Sequence, residues 1–209
     1  FFSTFCFFTN VHFYKNQKKK INDTMAIFCL ILNMRKLKNI ELNRKSIKEY
    51  KNANKNPLIL VLDNVRSMNN VGSIFRSADA FLIEKIFLCG ITAIPPHKDI
   101  QKTALGSTDS VDWEYSESTL DTINNLKKRG IKIIAIEQAK GATSLEKFSP
   151  QKKQTYAFIF GNEIKGVSQN VINVADNTIQ IPQFGTKHSL NISVSVGILI
   201  WDFYSKIIN

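Results

Sequence analysis

Three stretches of this chain gather residue types that do chemistry on loops. The first is Arg66-Ser67-Met68-Asn69-Asn70-Val71-Gly72-Ser73-Ile74-Phe75-Arg76. Asn70 suits a helix N-cap, its side chain accepting backbone N–H bonds. Gly72 leaves room for close approach by a ligand or another chain. Arg76 follows Asn70 by about 600° of helix, so the two need not share a ligand atom. A guanidinium on an otherwise apolar helix face calls for a partner, either phosphate or a carboxylate such as Asp79. The second stretch, Phe158-Ile159-Phe160-Gly161-Asn162-Glu163-Ile164-Lys165-Gly166, sets a tight two-glycine loop straight after an apolar run. Such a loop offers backbone groups to a small ligand, and Glu163 could accept bonds from a ribose or an exocyclic amine. The spacing is neither that of a dinucleotide fingerprint nor that of a triphosphate loop. The third stretch runs from Ile181-Pro182 through Gly185 to Ser189-Leu190-Asn191-Ile192-Ser193-Val194. Ser189 or Asn191 stands where a helix would point its free N–H groups. Ser193, Ser195 and Gly197 leave that helix open to very close packing. Each stretch alone also fits a plain structural use: a capped helix, a strand–turn–helix joint, a small-residue contact.

The elements that must hold these loops alternate. Leu58–Leu62, Lys85–Cys89, Ile131–Ile136 and Tyr156–Phe160 are short apolar runs suited to strands buried on both faces. Thr178–Ile181 reads as a fifth strand, and Val111–Tyr115 as a short one. Helical spacing marks Val71–Phe81, Ser118–Lys128 (closed by Gly130), Ser168–Val174 and Leu190–Ile207, with a short helix over Lys98–Leu105. Strands alternating with helices mean an α/β domain on a largely parallel sheet, whose ligands collect at the carboxyl ends of the strands.

Charge and composition narrow the partner. The 209 residues carry 28 Lys+Arg against 17 Asp+Glu, a formal charge of +11. Residues 1–56 hold 12 of those basic residues and 3 of the acidic ones, which puts a basic arm before a near-neutral body. Such an arm suits a polyanion through counterion release, or serves as a solvated tail. Hydrophobic residues at 44% exclude wholesale disorder. Cys6, Cys29 and Cys89 form no CxxC, which argues against a disulfide scaffold or a cysteine-based zinc site and fits a reducing compartment, the cytoplasm. The apolar run Met25–Leu32 is far short of the roughly 20 residues a bilayer span needs. Residues 1–33 read as a non-native or disordered extension ahead of a start at Met34, 34–56 as the basic arm, and 57–209 as the α/β domain. Part of the arm could form a short amphipathic helix laid on the body or on RNA.

Taken in order, the three stretches resemble the SpoU (TrmH-like) family of RNA ribose 2′-O-methyltransferases, in the SPOUT superfamily. The family's Asn, small residue and Arg are matched by Asn70, Gly72 and Arg76. Its G-N-E-x-x-G loop is matched by Gly161–Gly166, and its I-P-x-x-G and S-L-N-x-S-V segments by Ile181, Pro182, Gly185 and Ser189–Val194. The match covers Leu58–Tyr204. The resemblance implies a SPOUT-type parallel sheet flanked by helices, with a C-terminal trefoil knot that chain physics would not have proposed. It implies S-adenosylmethionine as methyl donor, held by Phe160, Gly161, Asn162, Gly166, Ile181, Pro182, Ser189 and Leu190. It implies a homodimer with Arg76 reaching toward the partner's cofactor pocket. Catalytic roles fall on Arg76, Asn70, Ser189, Asn191 and Glu163, with no metal. The family assigns activation of the hydroxyl to the Arg matched by Arg76; since arginine is a poor base, the role implied is to bind phosphate and stabilise the developing alkoxide, with proton removal either shared or left to another group. The expected substrate is RNA, tRNA before rRNA, since a domain of this length leaves no room for a separate RNA-binding domain. Lys187 and His188 are either phosphate contacts or exposed loop residues. The alternatives are an RNA-binding protein that has kept the fold without turnover, an rRNA-directed 2′-O-methyltransferase, and a SPOUT enzyme that methylates a base.

Overall fold

A computed structural model describes residues 35–208, which fall into two units divided after Arg44. The expectation for residues 1–33 lies outside the described residues. In the first unit, Asn39–Leu42 form one 3₁₀ turn. The Glu41 carboxylate accepts from Arg35 Nη1 and Nη2 at 3.0 and 2.6 Å and from the Lys38 N–H at 2.7 Å. Ile40 stays 85% exposed, so this turn builds no core.

The second unit opens with a short helix, α1 (Ile47–Asn52). Ser46 and Glu49 cap it reciprocally, Ser46 N–H donating to Glu49 at 2.7 Å and Glu49 N–H to Ser46 Oγ at 3.3 Å. Tyr50 on this helix is buried in the main core, its ring beneath the Lys55 ammonium. Burial, with Asp79 and Asp112 nearby, pushes its phenol far above the ordinary value. The packed body therefore includes a helix ahead of Pro57.

The sheet holds seven parallel strands among the described residues, in the order β3-β2-β1-β6-β4-β7-β5. They are β1 (Asn56–Asp63), β2 (Ile83–Cys89), β3 (Trp113–Ser116), β4 (Lys132–Ile136), β5 (Thr143–Ser144), β6 (Tyr156–Phe160) and β7 (Asn177–Gln180). Leu58–Asp63 and the whole of β6 are buried, as expected of central strands covered on both faces. Alternate residues feed two cores. Leu58, Leu60, Leu62, Phe158 and Phe160 face one core, and Ile59, Val61, Ala157 and Ile159 the other. Over the first face pack α2 (Met68–Ala80), α3 (Lys98–Ala104), α4 (Ser107–Ser110) and the long α7 (Ile192–Ile208). Over the second pack α5 (Thr119–Lys128) and α6 (Gln169–Val174). Phe158 meets Phe203 of α7 edge-on, ring centroids 5.6 Å apart.

Chain order reverses between β1 and β6. The chain builds outward from β1 through β2 to β3, then returns to the far half of the sheet. The loops after β1 and β6 thus sit side by side at a topological switch point, the crevice in which open α/β sheets take ligands.

Four local expectations are corrected. Helix α2 starts at Met68, and Ser67 caps it, its Oγ accepting the Asn70 N–H at 3.3 Å, so Asn70 is inside the helix and is not the cap. The space beside Gly72 is filled by the chain's own α3, since a Cβ there would lie 2.2 Å from Thr103 Oγ1 and 2.3 Å from the Ile100 carbonyl. Arg76 is on an exposed face of α2, and it is not ion-paired with Asp79, which instead accepts from Ser110 Oγ. Strand β5, two residues long, has no counterpart in the sequence pattern. Among the described residues no helix is long and apolar enough to cross a membrane.

Candidate active site

At the carboxyl ends of β4, β6 and β7 lies a cavity of about 600 Å³. The second and third motif loops form its walls. Phe160, Gly161, Asn162, Glu163, Gly166, Ile181, Ser189, Leu190 and Asn191 all line it, whereas Pro182, Asn70 and Arg76 do not.

The G-N-E loop is held by its own side chains. Asn162 Oδ1 accepts the N–H groups of Ile164 and Lys165 at 2.9 and 3.1 Å, an Asx-type turn. Its Nδ2 donates to the Asn64 carbonyl at 2.8 Å and pins the loop to the end of β1. Asn162 and Gly166 close the loop with two backbone hydrogen bonds of 3.1 and 2.8 Å. Gly166 turns out of it at φ +66°, a conformation glycine adopts without strain.

Glu163 then reaches across the switch point. One carboxylate oxygen accepts the Arg66 N–H at 3.0 Å, and the other accepts the Ser67 N–H at 2.9 Å and Asn70 Nδ2 at 3.3 Å. The carboxylate thus sits at the start of α2, where negative charge is favoured. Burial raises the Glu163 pKa more than any other single effect. The bonds from Arg66, Ser67 and Asn70 together outweigh it and hold the carboxyl below its ordinary 4.5. Asn70 Oδ1 in turn accepts from Asn191 Nδ2 at 3.2 Å. Asn191 Oδ1 accepts the Ser193 N–H and hydroxyl at 2.9 and 2.6 Å, and so caps α7. Glu163, Asn70 and Asn191 thus form one polar chain that joins the three motifs.

Three sequence-derived residues stand apart from this chain. Arg76 is exposed, and it makes no hydrogen bond or ion pair among the described residues. Ser189 is exposed at the cavity with its hydroxyl free among them. Gly197 faces open space, so the close packing expected around it is not made within the described chain. Sequence reasoning missed Glu137 and Gln138 in the cavity wall. Both directly follow β4, and the rule that ligands gather at strand carboxyl ends marks them as clearly as it marked Gly161.

A cavity of this size suits a nucleoside-sized ligand. Its apolar wall (Ile136, Phe160, Ile179, Leu190) and its rim of backbone donors and acceptors fit S-adenosylmethionine, whose adenine needs apolar surface and edge-on hydrogen bonds. Among the described residues no cluster of metal ligands occurs. Cys89 is buried, and desolvation pushes its thiol up.

A parallel sheet with a loop-built cavity at the carboxyl ends of its strands, walled by a G-N-E loop whose glutamate is tied to an Asn–Arg helix, defines an α/β transferase for a nucleoside-like donor. The SpoU rRNA Methylase family model matches residues 57–201, and the chain belongs to that family. An "Uncharacterized tRNA/rRNA methyltransferase" of Borreliella burgdorferi is 32% identical, over 84% of this chain and 77% of the relative. The A. aeolicus TrmH/SpoU tRNA modifying enzyme superposes with a TM-score of 0.68 at 26% identity, over 77% of this chain and 80% of that one. The AdoMet-bound rRNA methyltransferase from Sinorhizobium meliloti gives 0.67 at 25% identity, over 75% of this chain and 59% of that one.

Proposed function

We propose that this protein is an S-adenosylmethionine-dependent RNA methyltransferase that modifies a ribose 2′-hydroxyl. The observation that carries the reading is the polar chain from Glu163 through Asn70 to Asn191, which builds all three family motifs into one site. S-adenosylmethionine would supply an activated methyl group and leave as the neutral thioether, and the ribose oxygen that takes the methyl must give up its proton to a substrate phosphate or to water. The protein's part is to hold and polarise that hydroxyl. Arg76, always charged, stabilises oxygen charge as it develops and grips a substrate phosphate. Ser189, with its hydroxyl free at the cavity, orients the nucleophile. Glu163 and Asn70 fix the start of the helix that carries Arg76, and Asn191 fixes the start of α7.

Homodimerisation belongs to the same proposal. Arg76 lies outside the cavity of its own subunit, so a second copy must bring it to a donor. The exposed apolar stripe on α7 gives such a copy a place to dock, with Val194 50%, Ile198 37% and Trp201 58% exposed. A threaded C-terminal segment also fits, because the third motif's loop shares the cavity with the second before α7 packs against α2. The substrate proposed is tRNA, because the tRNA modifying enzyme of A. aeolicus is matched over more of its length than the rRNA enzyme. The free buried thiol of Cys89 suits a reducing cytoplasm.

The test is methyl transfer from radiolabelled S-adenosylmethionine to separate tRNA and rRNA pools, followed by nuclease digestion. Label in nuclease-resistant dinucleotides from tRNA is the expected result. Label in mononucleotides would mean base methylation, and absent calorimetric binding of the donor would mean RNA binding without turnover.

A further inference from the structure

The two loops that line the cavity are tied to a third segment that no motif includes. Glu137 follows the last residue of β4 and is half-buried in the cavity wall. Its Oε2 accepts the Val167 N–H at 2.8 Å, and its Oε1 accepts the Gln138 N–H at 2.8 Å. The carboxylate occupies the space that a side chain on Gly166 would need, since a Cβ there would lie 2.1 Å from Oε2. Glu137 therefore sets where the G-N-E loop ends. Gln138 does the same for the other loop. Its Nε2 donates to the His188 carbonyl at 2.6 Å, directly before Ser189. Consecutive residues thus hold the exit of the second motif and the entry of the third, both in the wall of one cavity.

We propose that Glu137 and Gln138 act together as positioning residues for the methyl donor: they set the separation of the two loops that grip it. The inference rests on the cofactor reading above. Both bonds use backbone groups of the loops, so the pair acts on loop position whatever side chains the loops carry. Glu137 must be a carboxylate to do this. It accepts two N–H groups on two oxygens, and an amide would turn one acceptor into a donor facing a donor. Gln138 must be an amide, because a glutamate would face its oxygen at the His188 carbonyl.

The experiment measures S-adenosylmethionine affinity by calorimetry and steady-state kinetics for the wild type, Glu137→Gln and Gln138→Ala. Expected is a rise of about fivefold or more in Kd and in KM for the donor in each variant, the size of one lost hydrogen bond. Turnover at saturating donor should stay within about twofold, since neither residue touches the reacting atoms. The side chain of Gln138 is exposed, so Gln138→Ala folds as the wild type does and decides the matter if Glu137→Gln does not. Donor affinity unchanged in Gln138→Ala, with the wild type binding normally, overturns this inference alone. A wild type that does not bind S-adenosylmethionine overturns the cofactor reading itself.

Discussion

Arg76 and Glu163 are both charged residues of the family's motifs, and their surroundings set them apart. Arg76 has no partner among the described residues and is exposed, so its charge is free for a substrate. Arg76→Ala should lower turnover by about 100-fold or more while leaving the thermal midpoint and donor affinity unchanged. An equal loss of donor affinity would assign it to cofactor binding instead. Glu163 spends its acceptors on the start of α2. Its pKa is depressed on folding, so its contribution is complete above the ordinary 4.5 and is lost as pH falls through the lower folded value. Glu163→Gln should therefore flatten the acid limb of stability below about pH 5, measured by urea unfolding. At this scale the residue types were legible, because glycines and amides on loops and an arginine on an otherwise apolar helix face are conspicuous. Their pairing was not. Asn70 read as a cap because its contacts with Glu163 and Asn191 span 93 and 121 residues of chain, beyond any local pattern.

The contact between α2 and α3 depends on a position without a side chain. A methyl on Gly72 would drive into Thr103 Oγ1 and the Ile100 carbonyl, and the latter is backbone that cannot swing aside. Gly72→Ala should cost about 1–3 kcal/mol of unfolding free energy, read from denaturant titration. Turnover should fall with it, because α2 carries Arg76. The apolar runs announced β1, β2, β4 and β6, since three to six consecutive buried residues at the heart of each leave little choice of element. The start of α2 was hidden by its polar first turn, Met68-Asn69-Asn70, whose spacing carries no hydrophobic period. Strand β5 was hidden by its length of two residues. Neither miss altered the class of fold, because the parallel core does not depend on them.

In the whole molecule, two surfaces invite partners, the apolar stripe on α7 and the basic segment ahead of Lys45. The apolar stripe on α7 predicts that Ile198→Glu converts a dimer to a monomer in sedimentation velocity, and that turnover is lost with it. A variant that stays dimeric would place the interface elsewhere. The basic segment ahead of Lys45 predicts a separate effect. Removal of residues 35–44, which spares core residue Tyr50, should weaken RNA binding and reduce its salt dependence, with donor affinity unchanged. The alternation of strands and helices foretold a parallel sheet, but strand order follows from which edges meet in space. No periodicity encodes that β6 sits beside β1.

The link between Asn70 and Asn191 also bears on when activity arises during synthesis. The ribosome delivers Asn70 long before Asn191, which stands 121 residues later at the head of the last helix. Until α7 emerges and docks, α2 has no partner for Asn70 Oδ1, and the cavity lacks the wall made by Ser189–Ile192. A nascent or truncated chain therefore presents a nearly complete sheet and no working site. Chains that lack α7 should therefore be inert, and methylation of RNA waits on the docking of that helix.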